Sequence, residues 1–173
     1  MSLRNNSPRA ARAIPAERQK MNIPASITVH ASDRLAWRAG RLHEVMAVRY
    51  PMVFDADDLR LARTQHKSGS HYTEWAVAAW LWDRLRLRSL VEKYEFTSQH
   101  PVKAATLARL GISIERRPDC QYPDLIVYDA AGEWEFVEVK TRADVLRQTQ
   151  SRFYEILRIR HGKTVKILRL VEK

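Results

Sequence analysis

The stretch PDLIVYDAAGEWEFVEVK, residues 123–140, decides the fold predicted for this chain of 173 residues. Two short apolar runs lie on either side of the turn-forming sequence AAG, which is typical of a β-hairpin. Successive side chains of a strand point to opposite faces, so Glu138 and Lys140 share one face and the valines beside them take the other. The return strand therefore carries two opposite charges on a face that otherwise reads as buried.

A third ionisable group, Asp124, opens the first strand of this hairpin, and the return strand brings Glu138 close to it. Two neighbouring carboxylates in a low dielectric repel each other, so one binds a proton unless a cation lies between them. Such oxygen ligands suit Mg²⁺ or Mn²⁺. A metal of this type activates a bound water and neutralises charge on a phosphate under attack. Lys140 would orient that water or hold the phosphate.

The alternative is a solvated Glu-Lys pair at a strand end, which is the commoner explanation for EVK alone. The dipeptide Pro123-Asp124, placed between two apolar runs, favours the metal site instead. A rival dipeptide, Pro118-Asp119, has no apolar run after it.

Two polar residues on predicted helices extend this candidate site. Glu74 lies on the inward-facing stripe of a predicted helix, four residues before Ala78, so it is a candidate third metal ligand or a partner of Lys140. A helix-terminal glutamate favoured by the macrodipole is the alternative. Gln150 borders the sheet-facing stripe of a later helix, where its amide needs partners and would support the metal site. Asp144 is predicted to cap that helix.

The rest of the chain predicts helices first and then a β-β-β-α-β order, which indicates a mixed α/β sheet flanked by helices. We expect a basic flexible arm over residues 1–28, a helical N-terminal extension over 29–66 and a core domain over 67–173. Predicted helices cover residues 32–50, 55–65, 72–90, 100–110 and 143–160, and predicted strands cover 112–117 and 164–171. The three tryptophans of the third helix are expected in the core and not on a base-stacking surface.

The net charge of +10 comes from 30 Lys and Arg against 20 Asp and Glu. Such an excess favours nucleic acid as a partner, with an anionic membrane as the competitor. No apolar run approaches the roughly 18 residues of a membrane span, and the basic start lacks the apolar core of a secretory signal. The single cysteine, Cys120, cannot form an internal disulfide and favours a reduced, cytoplasmic protein.

The segment YPDLIVYDAAGEWEFVEVKTRADVLRQTQSRFYEIL, residues 122–157, resembles the VRR-NUC nuclease domain of the PD-(D/E)xK superfamily. That family has PD-L on one strand, E-V-K on the next and D-x-L-x-x-x-Q at the start of a helix. The third pattern is matched by Asp144, Leu146 and Gln150 at the same spacing. The resemblance extends over about residues 112–172.

The resemblance implies a restriction-endonuclease-like fold and an endonuclease that depends on Mg²⁺ or Mn²⁺. It implies metal ligands at Asp124, at Glu138 and at the backbone carbonyl of Val139, with Lys140 as the catalytic lysine. Glu74 matches the superfamily's helical glutamate by position only, and Gln150 completes the candidate catalytic set. Candidate nucleic-acid-binding residues beside these motifs are Arg142, Arg147 and Lys163.

Two departures from the family pattern affect the edge of the cleft. Tyr122 stands where the family usually has glycine, and Thr141-Arg142 stands where it usually has Gly-Pro. Neither departure removes a metal ligand. The resemblance therefore implies the family's cleavage chemistry for this chain more strongly than it implies the family's substrates. We expect a metal-dependent endodeoxyribonuclease, selective for branched DNA and forming a homodimer. A toxin or restriction-type defence nuclease has the same residues, and a non-catalytic nucleic-acid-binding module on the same fold is the alternative from another class. RNA is not excluded as substrate.

Overall fold

The computed structural model of the chain describes residues 21–91, 94–96, 99–115 and 121–173. Most of the predicted basic arm, the rival Pro118-Asp119 dipeptide and Cys120 lie outside the described residues.

The described strands form one five-stranded sheet in the order β1-β5-β4-β3-β2. The antiparallel part joins β2 to β3 and β3 to β4, while β5 runs parallel to β4 and β1 runs parallel to β5. The strands are β1 (Ser26–Val29), β2 (Arg88–Val91), β3 (Leu125–Tyr128), β4 (Trp134–Thr141) and β5 (Lys166–Glu172).

Local sequence signals account for several helix ends. The helix α3 begins with a capping box, in which Asp55 accepts from the Asp58 N–H and Asp58 accepts from the Asp55 N–H. The helix α6 ends at Gly162, whose φ of 66° is a left-handed conformation that glycine adopts without strain. The helices are α1 (Ala31–Arg38), α2 (Leu42–Arg49), α3 (Ala56–Gln65), α4 (Tyr72–Leu85), α5 (Pro101–Arg109) and α6 (Gln148–His161).

Helices pack on both faces of the sheet, so the predicted mixed α/β sheet flanked by helices is confirmed. On one face, α1 to α4 bury an apolar cluster against the strands, with Trp37 and Trp75 fully buried at its centre. Phe54 stacks on Trp75 with ring centroids 3.8 Å apart. On the other face, α5 and α6 cover a second cluster that includes Phe136 of β4 and Leu157 of α6.

Three element predictions were wrong. The helix expected over 32–50 is two helices, because Gly40 adopts a φ of 74° between them. The helix expected over 72–90 ends at Leu85, and the residues after it form β2, whose apolar side chains had extended the helical pattern. Residues 112–115 of the strand expected over 112–117 are not a strand.

The predicted arm over 1–28 was also wrong at its end. Residues Ser26–Val29 form β1, which pairs with β5 at the edge of the sheet. Only Ile27 of the first three strand residues is buried, so the segment has too little apolar content to be recognised as a strand from sequence. Its pairing partner, far along the chain, makes it a strand. No helix of the described ranges is long and apolar enough to cross a membrane.

Candidate active site

Asp124 immediately precedes β3, and the hairpin register places it opposite Glu138. Leu125 pairs with Val137 in this antiparallel ladder, so the next position outward sets residue 124 against residue 138. The Asp124 Oδ2 accepts a hydrogen bond of 2.7 Å from the Val139 N–H of β4. The predicted approach of the two carboxylates on one face of the hairpin is therefore confirmed.

The Asp124 carboxyl has a pKa raised to about 8. Burial is the largest cause, followed by the negative charges of Glu74 and Glu138, while the Val139 hydrogen bond and Lys140 act in the opposite direction. Without a cation this carboxyl therefore holds a proton at neutral pH. The three predicted acids thus influence one another electrostatically.

Glu138 is the most enclosed ionisable group of the cluster, with 1% of its surface exposed. Its Oε1 lies 2.6 Å from the Lys140 Nζ and accepts a 2.9 Å hydrogen bond from the Gln150 Nε2. Its Oε2 accepts a 2.5 Å hydrogen bond from the Tyr154 hydroxyl. A buried carboxylate needs such partners, and α6 supplies two of the three.

Lys140 and Gln150 face each other across the gap between β4 and α6. The Lys140 ammonium is largely enclosed and lies 3.5 Å from the Gln150 Oε1. The same Gln150 oxygen accepts from the Arg147 N–H, which ties the start of α6 to the site. Gln150 thus contacts both Glu138 and Lys140 and restricts their orientations, while its support of a metal site stays a prediction.

Glu74 lies in the first turn of α4 and lines a cleft of about 240 Å³ with Asp124. Its Oε2 accepts a hydrogen bond of 2.7 Å from the Thr73 hydroxyl. The cleft is also lined by His71 and Tyr94, and the Tyr94 hydroxyl donates to the carbonyl of Pro123, just before Asp124. Glu74 is half-buried and faces the same cleft as Asp124, and the cleft gives Asp124 access to solvent from that side.

The prediction that Asp144 caps the next helix was wrong. Its Oδ2 accepts from the N–H and the hydroxyl of Thr141, at 2.8 and 2.7 Å, and these hydrogen bonds lower its pKa. The helix α6 begins four residues later, at Gln148. Asp144 therefore closes a turn directly after β4. Its short side chain hydrogen-bonds the Thr141 backbone three residues earlier and not the first turn of α6.

The predicted nucleic-acid-binding residues fall into two groups. Arg142 and Arg147 are exposed on the loop between β4 and α6, beside Lys140. Lys163 lies between α6 and β5, and its Nζ is 5.1 Å from the ring centroid of Trp134, the first residue of β4. Residues 134 and 140 of one strand are separated by roughly 20 Å at about 3.3 Å per residue. Lys163 is therefore not part of the same site.

The residues present suit a hard divalent cation with few protein ligands. Asp124 and Glu138 offer carboxylate oxygens. Burial is the largest cause of the raised pKa of Asp124, and the negative charges of Glu74 and Glu138, which a cation would neutralise, raise it further. Mg²⁺ is commonly held by one or two carboxylates while it keeps several waters. In the described part of the chain, no three His, Cys, Asp or Glu side chains form a ready metal-holding group. The fit is thus to a two-carboxylate site, and Glu74 is not part of a preformed triad.

Sequence reasoning missed Tyr154 and His71. Tyr154 lies four residues after Gln150, on the same helical face, so the spacing alone could have placed it beside Glu138. His71 precedes α4 with a φ of 67°, a left-handed conformation that is uncommon for histidine and that no sequence signal predicts.

Comparisons of the chain with protein-family models, with curated proteins and with solved structures gave no match.

Proposed function

We propose that the protein is a metal-dependent endonuclease that hydrolyses phosphodiester bonds in DNA, with a restriction-endonuclease-like fold of the VRR-NUC type. The observation that carries this proposal is the convergence of Asp124, Glu138 and Lys140 from neighbouring strands onto one buried cluster. The order of elements supports the proposed family. Glu74 lies on the helix before β2, and Gln150 lies in the first turn of the helix after β4, where the family pattern has its glutamate and its glutamine.

The chain's own groups would divide the work of hydrolysis. Asp124 and Glu138 would hold Mg²⁺ or Mn²⁺, and the bound metal supplies an activated water and charge neutralisation at the phosphate. Lys140 places a positive charge beside the cluster, where it would hold a non-bridging phosphate oxygen. Gln150 and Tyr154 keep the Glu138 carboxylate fixed, so little reorganisation is needed when substrate arrives.

Branched DNA is the substrate we favour, and the cytoplasm is the location that the single cysteine favours. The cleft beside Asp124 is open and lined by side chains from α4 and from the segment before β3. We propose that the protein selects its substrate by DNA shape and not by base sequence.

The test is cleavage of supercoiled plasmid, linear duplex, single-stranded DNA and a four-way junction, each with Mg²⁺, Mn²⁺ or EDTA. We expect metal-dependent cleavage that falls at least about 100-fold in Lys140→Ala, the usual scale for losing one electrostatic contact to the reacting group. The control is Arg60→Ala, an exposed arginine on α3 that pairs with Asp57. Cleavage in EDTA, or full activity of Lys140→Ala, would refute the mechanism.

A non-catalytic nucleic-acid-binding module is the second candidate. The observation that favours it is that both Glu138 oxygens already accept from protein donors, with no three-acid group nearby among the described residues. This candidate predicts tight, salt-sensitive DNA binding without cleavage in any metal. It also predicts that Glu138→Gln binds DNA as well as the unmodified protein.

A further inference from the structure

The face of the sheet that carries Lys140 continues across β5 and β1. Residues paired in register on neighbouring strands point to the same face. Lys140 pairs with Arg169 of β5, and Arg169 pairs with Ser26 of β1. These three residues therefore form a row across three strands, starting at the candidate active site and ending at the edge of the sheet.

This part of the sheet is exposed on the active-site face. Ser26, Thr28 and Arg169 are exposed, whereas Ile27 and Leu168, which point to the opposite face, are buried. A sheet face is ordinarily covered by apolar side chains and a packed helix. Here it presents two hydroxyl groups and a guanidinium, so the surface is polar by composition and suits a polar partner.

Arg169 differs from the other arginines near this edge. Its Nη1 lies 3.5 Å from the Thr141 carbonyl, which places the guanidinium beside the end of β4, next to Lys140. Arg34 is paired with Glu172 at 2.5 Å, and Arg160 with Glu115 at 2.9 Å. Over the described ranges, no carboxylate lies within ion-pair distance of Arg169. Its charge is therefore available to an anion.

We propose that Lys140, Arg169, Ser26 and Thr28 form a phosphate shelf, which binds the sugar-phosphate backbone of a nucleic-acid strand beside the cleft. The inference rests on the proposed function, because it takes the cleft as the place where the phosphodiester is held. An arginine fork binds phosphate with two parallel hydrogen bonds, and hydroxyl groups add further donors. The net charge of +10 makes the chain attractive to a polyanion such as nucleic acid.

The shelf would position the strand without reading its sequence. Its groups contact phosphate and sugar, which fix the register of a nucleic acid but carry no base information. The strand β1, which pairs with β5, widens this polar face with Ser26 and Thr28. The competing occupant is a second copy of this chain, which would pair with β1, the outer strand of the sheet as described.

The test is binding of labelled single-stranded and duplex DNA in EDTA over a series of salt concentrations. The variants are Arg169→Ala, Arg169→Lys and Thr28→Glu, with Arg60→Ala as the exposed control, each checked for an unchanged circular dichroism spectrum. We expect Arg169→Ala to weaken binding about fivefold to tenfold for every sequence, and to lower the slope of log affinity against log salt by about one. Arg169→Lys should keep the slope, Thr28→Glu should bind more weakly than the unmodified protein, and Arg60→Ala should stay within about twofold of it.

Unchanged affinity and salt slope in both Arg169→Ala and Thr28→Glu would overturn the shelf. So would a Thr28→Glu variant that loses a dimer in analytical ultracentrifugation while its DNA affinity stays the same. Because binding is measured without metal, the result is independent of catalysis. If the unmodified protein cuts nothing but the shelf variants lose affinity, the shelf stands and the nuclease proposal fails.

Discussion

Replacing Asp124 with asparagine should stabilise the metal-free protein at alkaline pH. The carboxyl is buried and lies near two other acids, so its pKa is raised from 3.8 to about 8 in the folded chain. A group with a raised folded-state pKa contributes stability below its unfolded pKa, and that contribution is lost as pH rises through the folded value. Asp124 therefore opposes folding increasingly as pH rises from about 4 to about 8, because the unfolded chain loses this proton first, and the full penalty applies above about pH 8.

The size of this effect follows from the two pKa values. Each pKa unit corresponds to about 1.4 kcal/mol, so the interval from 3.8 to about 8 sets an upper bound of about 6 kcal/mol. The asparagine amide oxygen still accepts from the Val139 N–H, but a neutral acceptor is weaker by about 1 kcal/mol. We expect Asp124→Asn to be more stable than the unmodified protein by about 2 to 5 kcal/mol at pH 9, and to be closer to it at pH 4.

The assay is urea unfolding of both proteins in EDTA at pH 4, 6 and 9, followed by circular dichroism. A second series adds Mg²⁺, which should stabilise the unmodified protein by about 2.7 kcal/mol at 100 times the dissociation constant. The variant lacks one ligand and should gain much less. Asp129→Asn, in the turn before β4, is the control for removal of one half-buried carboxylate near the hairpin, and its amide oxygen can still accept from the Glu133 N–H.

The reasoning would be refuted if Asp124→Asn were less stable than the unmodified protein at pH 9 in EDTA. A gain from Mg²⁺ that is equal in the two proteins would refute the assignment of Asp124 as a ligand.

Three further predictions concern other groups. Tyr154→Phe removes the hydroxyl that donates to Glu138, so it should lower the free energy of unfolding in urea by about 1 to 3 kcal/mol. It should also slow DNA cleavage, and an unchanged cleavage rate would exclude a positioning role for Tyr154. Lys103→Met leaves Asp58 buried without its ion-pair partner and should cost about 3 to 5 kcal/mol at pH 8. Because the pKa of Asp58 is already raised to about 7, the cost should shrink at pH 5, where the carboxyl is protonated; a cost independent of pH would contradict this. Gly162→Ala forces a φ of 66° on an alanine and should lower the free energy of unfolding by about 1 kcal/mol, whereas Gly162→Asn should lower it less.

The hairpin and its charged residues were predictable because their signals are local. Strand alternation placed Glu138 and Lys140 on one face, and the turn length set Asp124 opposite Glu138. Helical spacing placed Gln150 against the sheet. In each case the residues that fix the geometry lie within one element or two consecutive ones, so the periodicity carries the information.

The parts that failed depend on contacts between distant segments. The strand β1 has one buried residue among its first three and becomes a strand only by pairing with β5. The strand β2 follows α4 with almost no break, so its apolar residues extend the helical pattern. Arg169 looked like an ordinary strand residue, because its position beside Lys140 depends on the parallel register of β4 and β5.

The pairing of β1 with β5 also fixes the order in which the sheet can be completed. During synthesis, residues 26–29 leave the ribosome long before residues 166–172, and their backbone hydrogen-bonding partners do not yet exist. Contacts between such distant segments slow folding, because a large loop must close before they form. We therefore expect the hairpin of β3 and β4 to be structured early on the nascent chain, and the edge carrying Ser26 and Thr28 to be added last.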